Sequence, residues 1–285
     1  MARDLSKFAV FIITHGRPDN VITTRTLRKS GYSGPIYYII DNEDKRGDEY
    51  RERFGSENVI EFDKKAVADT VDSANSFDDR RSDVYARNAS FGIAKDLGLD
   101  YFWQLDDDYT GWMYRHIKGK RLDWTPIRNM DSVIETMLDF LDATGAATVA
   151  ISQGGDHIGG AAGSYAKGIM RKAMNSFFVK TDRPIKFIGH LNNDVNTYVV
   201  YGSRGELFFT VTKLQLTQTQ TQKNEGGMTS TYLDSGTYVK SFYTVMMAPS
   251  CVQVRMMGTS NPRLHHAIKW DMAVPKILNQ KYKKN

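Results

Sequence analysis

The chain has 285 residues, 41% hydrophobic and 25% charged, with a formal net charge of +5. That composition is ordinary for a soluble globular protein, and the length suffices for a sizeable core. The single cysteine, Cys251, excludes an internal disulfide, and no apolar run approaches the roughly 20 residues that span a bilayer.

The first residues, "MARDLSKFAVFIITHGRP", hold only a short apolar stretch and no small-residue cleavage site. A cytoplasmic place without membrane attachment is the expectation. The mildly basic balance is compatible with a polyanionic partner and does not identify one.

In chain order, "KFAVFIIT" (7–14) reads as a β-strand, followed by a polar turn and the helical "RPDNVITTRTLRKSG". "PIYYIID" (35–41) is a second strand ending in Asp41, and "NEDKRGDEYRERFG" a polar helix or helix-loop. "NVIEF" (58–62) is a third strand. After a polar stretch, "VYARNASFGIAKDLG" reads as a helix, with Asp83 as N-cap and Gly98 as its stop. "DYFWQL" is a fourth strand. Near-continuous apolar strands separated by helices predict an α/β fold with a mostly parallel sheet covered on both faces. Ligands of such sheets bind at the carboxyl ends of the strands. Thr14, His15, Gly16, Arg17, Asp41 and Asp106 to Asp108 all fall at such ends.

Further along, "DSVIETMLDFLDATG" (131–145) is an amphipathic helix and "ATVAIS" (147–152) a strand. "QGGDHIGGAAGSYAKG" places six glycines in 16 residues, which suits a loop that passes close to a ligand or a free surface loop. "RPIKFIGHLNNDVNTYVVYGSRGELFFTV" reads as strand, polar turn, short helix and strand, and "QLTQTQTQKNEGGMTS" as a loop. No linker is evident, so one domain is expected, 1–112 forming a donor half and 113–285 an acceptor half.

The sharpest feature is "YFWQLDDDYTGW", a core strand that ends in Asp106, Asp107 and Asp108. Close carboxylates are costly unless a cation sits among them. Asp106 and Asp108, one residue apart, reach one hard divalent ion if the backbone turns there. The bland alternative is a solvated loop or a helix start. Asp107 fits a ligand hydroxyl or a turn cap equally.

Together these elements resemble the GT-A class of glycosyltransferases, whose DxD motif Asp106-Asp107-Asp108 matches. "FIITHGRPDN", "YARNASFGIAKDLGLDYFWQLDDDY" and "LNNDVNTYVVYGSRGELFF" are similar to the TET-associated glycosyltransferase family. The resemblance runs over roughly residues 7 to 270. It implies a GT-A, Rossmann-like sheet with an elaborated C-terminal half, a UDP-sugar donor, and Mn²⁺ or Mg²⁺. It also implies a hydroxymethylated pyrimidine of phage DNA, already glycosylated or not, as acceptor, and hence a host-cell cytoplasmic site.

By the same resemblance Thr14, His15 and Arg17 line the nucleotide pocket and Asp41 approaches the base. Arg87 and Asn88 reach the nucleotide or diphosphate, and Asp107 the donor. His266 or His265 completes the metal shell beside Asp106 and Asp108, and Lys269 neutralises the departing diphosphate. Asp194, in "HLNNDVNTY", matches the acidic catalytic base, although many relatives carry two acids where this chain has Asn193-Asp194. Thr14, Asp41 and Asp194 also suit plain helix capping, and either histidine a structural role.

Gln153, Asp156 and His157 are expected at the acceptor or over the donor. Lys118, Lys120, Arg121 and Arg128, with Lys167, Arg171 and Lys172, are the candidates for DNA phosphates. A glycan acceptor, or a non-catalytic nucleotide-sugar or nucleic-acid binding module, stays open on these letters.

Overall fold

The computed structural model describes residues 3–74, 78–167, 175–219, 231, 239–257, 262–273 and 280. The basic candidates Arg171 and Lys172 lie outside the described residues, as does most of the polar stretch that follows Gln218.

β1 (Phe8–Ile13) is buried at all six positions, which is why it reads as an unbroken apolar run. β2 (Ile36–Asp41) and β4 (Tyr101–Asp106) flank it in parallel, and β3 (Val59–Phe62) extends the sheet beyond β2. Phe8, Val10 and Ile12 point to one face, against Leu27 of α1 (Ile22–Lys29), Tyr50 of α2 (Gly47–Phe54) and Ile134, Leu138 and Leu141 of α5. Ala9, Phe11 and Ile13 point to the other, against Val84, Phe91 and Ala94 of α4. The period-2 alternation of one strand thus builds two cores. Between these strands run α3 (Lys64–Ala68) and α4 (Val84–Asp96), and α5 spans Met130–Thr144. Asp83 is the N-cap residue of α4, but its carboxylate makes no cap bond. Its partners lie in the site.

The nine-stranded sheet runs β3-β2-β1-β4-β8-β7-β9-β5-β6. Here β5 is Tyr109–Lys118, β6 Arg121–Pro126, β7 Thr148–Gln153, β8 Ser176–Lys180 and β9 Phe208–Gln218. The expected α/β class holds. Parallel strands form the first half, and β8, β5 and β6 add antiparallel pairs to the second. The polar run that reads as a loop after "LFFTV" instead continues β9 through Gln218. Cross-strand pairing to β5 holds this polar run in the sheet. The segment 184–190 expected as a strand has no regular structure, and α7 is a full Asn193–Ser203.

β9 joins two parts of the sheet. Phe208 to Val211 pair with β7 in parallel, and Leu214 to Gln218 pair with β5 antiparallel, with a register shift after Ile151. Only two residues separate β4 from β5, yet the strands are not neighbours. The chain therefore leaves the sheet centre at Asp106 and rejoins beyond β9. A division at 112/113 would fall inside β5.

A smaller layer completes the chain: α6 (Ser164–Lys167), α8 (Val239–Met247), the antiparallel pair β10 (Val252–Met257) and β11 (Arg263–Ile268), and α9 (Trp270–Ala273). Val195 and Val199 of α7 pack with Ala248, Cys251, Val252 and Ala273. No helix among the described residues is long and apolar enough to cross a membrane.

Candidate functional site

The aspartate turn is fastened through its backbone. Thr23 of α1 donates its N–H to Asp107 O (3.0 Å) and its hydroxyl to Asp106 O (2.7 Å), and accepts from Tyr109 N–H (2.9 Å). From the end of β9, Thr219 N–H donates to Asp108 O at 3.2 Å. Helix and strand thus hold the three residues before any ligand arrives.

The three carboxylates have different fates. Asp107 is fully buried. It accepts from Arg17 Nε and Nη2, both at 2.7 Å, and from the Thr14 hydroxyl at 2.6 Å. Tyr50 OH bonds Thr14 (2.9 Å) and accepts Arg17 N–H (2.9 Å), closing a cage around the turn after β1. Gly16 completes that turn with φ +72°, a left-handed value that favours glycine, and its N–H donates to Asp44 at 2.7 Å. Thr14, Arg17 and Asp107 were expected to face the nucleotide. They face one another, because a buried carboxylate is tolerated only when paired.

Asp106 keeps one oxygen on Arg87 Nη2 at 2.9 Å. Burial pushes its carboxyl up to about 7 against the pull of Arg87, with Asp83, Asp108 and Asp107 adding to the rise. Asp108 is half-buried, and its carboxylate is met by its own backbone N–H rather than by a side-chain donor among the described residues. Burial and Asp107 push it up to about 6, with Arg17 opposing. Asp106 and Asp108 are thus two close carboxylates whose charge is poorly accommodated as they stand.

Arg87 is the hub beneath them. Only 1% of it is exposed. It pairs with Asp83 and Asp106 at 2.9 Å each and donates to Gln104 Oε1 at 3.3 Å. Asp83 in turn accepts from Asn193 Nδ2 at 2.6 Å. Burial works against the Arg87 charge, and Asp106, Asp83 and Asp194 more than offset it. The expected contact of Arg87 with diphosphate is therefore replaced by a buried bridge. Asn88 also turns away: its amide brackets Phe187, donating to Phe187 O (3.0 Å) and accepting from Phe187 N–H (2.9 Å).

The bridge brings the start of α7 to the aspartates. Asn192, at φ +53°, lies in the left-handed region that asparagine tolerates, and its amide donates to Lys240 O at 2.8 Å. Its Nδ2 also meets His266 Nδ1 at 3.1 Å. Gly189 serves the same corner: at φ +84°, a Cβ there would fall 2.2 Å from Asn196 Nδ2. Asp194 follows in the first turn of α7, half-buried, with no hydrogen-bond or ion-pair partner among the described residues.

At the end of β2, Asp41 is buried between His15 Nδ1 (2.8 Å) and Lys64 Nζ (3.3 Å). Burial raises its carboxyl, but the His15 hydrogen bond and the Lys64 charge outweigh it and hold it below the usual carboxylate range. Lys64 and Asp44 went unnoticed in the sequence.

The remaining candidates scatter. Among the described residues no group of three or more His, Cys, Asp or Glu side chains is arranged to hold a metal ion. His265 Nδ1 lies 2.7 Å from His266 O. Lys269 is exposed beyond β11, and no described contact links it to the aspartates. Trp270 packs edge-on against Tyr198. Asp156 and His157 are buried, Asp156 accepting Gln153 N–H and His157 Nε2 meeting Ser152 Oγ at 2.8 Å. They hold the glycine-rich loop rather than project from it. Gln153 donates to Gln218 at 2.8 Å.

The model of the family described as TET-Associated Glycosyltransferase matches residues 8–227, which include the aspartates, Arg87 and Asp194. The chain belongs to that family. It is a glycosyltransferase, and its α/β sheet carries the aspartate turn at the end of β4. No curated protein sequence matches the chain. Among solved structures, it is similar to glucosyl-3-phosphoglycerate synthase from Mycobacterium tuberculosis in complex with Mn²⁺, UDP and phosphoglyceric acid, at 8% identity and TM-score 0.44, covering 92% of this chain and 87% of that one. S. aureus TarS 1-349 in complex with UDP-GlcNAc follows at 11% identity and TM-score 0.45, over 85% of this chain and 66% of that one. A putative nucleotide-diphospho-sugar transferase from Desulfovibrio desulfuricans G20 gives 8% identity and TM-score 0.44, over 84% and 98%. Likenesses this distant say nothing of substrate.

Proposed function

We propose that this glycosyltransferase moves a sugar from a UDP-sugar to a hydroxymethylated pyrimidine of DNA, bare or already glycosylated. One observation carries the reading. Asp106 and Asp108 present carboxylates at the carboxyl end of β4, and the Arg87–Asp83–Asn193 bridge holds Asp194 close by. Donor binding thus falls to the first half of the chain and acceptor activation to the second.

Mn²⁺ or Mg²⁺ fits the pair. Two carboxylates raised by burial and by neighbouring aspartates suit a hard cation, which would take its remaining ligands from donor phosphates and water. Asp106 and Asp108 would hold it, and its chemistry is to take up charge on the departing diphosphate. Arg87 aims Asp106 and partly offsets the cost of its charge. Asp194 takes the proton from the acceptor hydroxyl as that oxygen bonds the anomeric carbon and the sugar–phosphate bond breaks. Asp107 and Arg17 keep the turn rigid. Family membership and the basic segment after β4 support a DNA acceptor, and with it a place in the cytoplasm of an infected cell.

The test is transfer from UDP-sugars with Mn²⁺ or Mg²⁺ to hydroxymethylcytosine duplex, beside unmodified duplex and soluble glycans. Transfer only to the modified duplex is expected. Transfer to glycans alone overturns the DNA assignment. Asp108→Asn should abolish metal-dependent turnover in a protein that keeps its melting temperature, and near-normal turnover removes the metal from these carboxylates.

A further inference from the structure

The two strands that follow the aspartates form a ribbon at the edge of the sheet. β5 and β6 pair antiparallel from Met113↔Pro126 to Lys118↔Arg121, and β6 has no strand on its outer side among the described residues. Gly119, at φ +61°, takes the positive value that a two-residue hairpin turn needs at its first position.

Three features make this ribbon unusual for a bare surface. Lys118, Lys120 and Arg121 crowd its tip, exposed, with no ion pair among the described residues. Lys118 and Arg121 stand directly opposite in register, where like charges destabilise a strand pair. Ile117 and Trp124, 51% and 52% exposed, share the opposite face at neighbouring cross-strand positions. A hairpin with exposed apolar side chains on one face and an unpaired cationic tip is complementary to a surface that is polyanionic outside and offers flat base edges and C5 substituents within.

We infer that the β5–β6 ribbon is the arm that grips the acceptor duplex, lying in its major groove with Lys118, Lys120 and Arg121 on phosphates and Trp124 and Ile117 toward base edges. This rests on the DNA acceptor proposed above. The major groove admits a two-stranded ribbon, and it displays the C5 substituents of pyrimidines, where a hydroxymethyl group sits. The ribbon also starts at the right place, since Tyr109 directly follows Asp108. Ten residues of strand at about 3.3 Å each set the tip about 30 Å from the aspartates, or roughly nine base pairs along a duplex of 3.4 Å rise. The grip is therefore remote from the chemistry and needs a long acceptor.

The experiment measures transfer and binding of the wild type and of a Lys118→Ala/Lys120→Ala/Arg121→Ala variant, on hydroxymethylcytosine duplexes of 8 to 30 base pairs over a salt series. The wild type should gain affinity with duplex length up to about ten base pairs on one side of the target. The variant should lose that gain, with KM for the longest duplex up ~10-fold or more. Its salt slope should fall by about 2.7, from three contacts at roughly 0.9 each. Its hydrolysis of UDP-sugar without acceptor should be unchanged, which shows the fold and donor site intact. Trp124→Ala should weaken binding without changing the salt slope. A variant with wild-type length dependence and salt slope overturns the ribbon assignment and leaves the DNA reading standing. A wild type that modifies no duplex at all overturns both.

Discussion

The two sides of this site are built on opposite principles. At the ends of β1 and β2, ionisable groups are paired: Asp107 with Arg17 and Thr14, and Asp41 with His15 and Lys64. At the far end of the turn and the start of α7, Asp108 and Asp194 present carboxylates that no side-chain donor among the described residues pairs. Asp106 stands between, with one oxygen tied to Arg87. A paired carboxylate fixes geometry, and an unpaired one is left to meet a ligand or a proton. The same residue type, three times in a row, is divided between the two jobs by which way each side chain turns.

The comparison breaks most readily at its free end. Asp194→Asn should lower kcat for transfer by roughly 10²- to 10⁴-fold, the range of a general base, while UDP-sugar binding and melting temperature hold. Unchanged transfer would place the base elsewhere. Asp107→Asn should do the reverse. It strands Arg17 in a mostly buried cage, and breaking such a pair costs about 3–5 kcal/mol, which lowers the melting temperature by roughly 10 °C. An Asp107→Asn protein that melts like wild type but has lost donor binding would make Asp107 a ligand after all.

The Asp41 cluster sharpens the same division through pH. Asp41 and Lys64 are each only 7% exposed at the side chain, so Asp41→Asn should cost about 3 kcal/mol at neutral pH. The Asp41 carboxyl is held below its usual range in the folded state. Its contribution is therefore complete above the unfolded value near 4 and is lost as pH falls through the lower folded value. Urea midpoints at neutral pH and near pH 3 should show the gap between wild type and Asp41→Asn narrowing in acid. A constant gap would mean that the loss is one of packing rather than charge.

What the sequence disclosed follows from what is local. Strand β1 and the end of β4 were legible because unbroken apolar runs and a charge triplet are properties of neighbours. Asp106 and Asp108 were selected for that reason. Asp107 could not be assigned, since its partners Thr14 and Arg17 lie 90 or more positions away and only the parallel β1–β4 pairing brings them together. β8 and the polar end of β9 are not legible in the sequence because their pairing is non-local and Gln215 to Gln218 carry little apolar patterning. Asp83 could have been found. Its spacing of four from Arg87 on one helix face is the ordinary signature of an ion pair, which a capping reading overlooks.

Asn193 tests whether the two sides work together. Its amide donates to Asp83 at 2.6 Å, which an acid there could not do while both were ionised. The bond links the start of α7 to Arg87 and so to Asp106. Asn193→Ala removes that link and leaves every charge in place. It should cost about 1 kcal/mol of stability, the usual worth of one hydrogen bond, with KM for UDP-sugar unchanged. Transfer should fall by roughly 10-fold while acceptor-free donor hydrolysis stays the same, since only the placement of Asp194 against the donor is disturbed. Asn193→Asp adds a carboxylate facing Asp83 and should lose more than Asn193→Ala. If Asn193→Ala instead slows transfer and hydrolysis equally, the bridge supports the metal carboxylates alone, and Asp194 is held by α7 without help from the donor side.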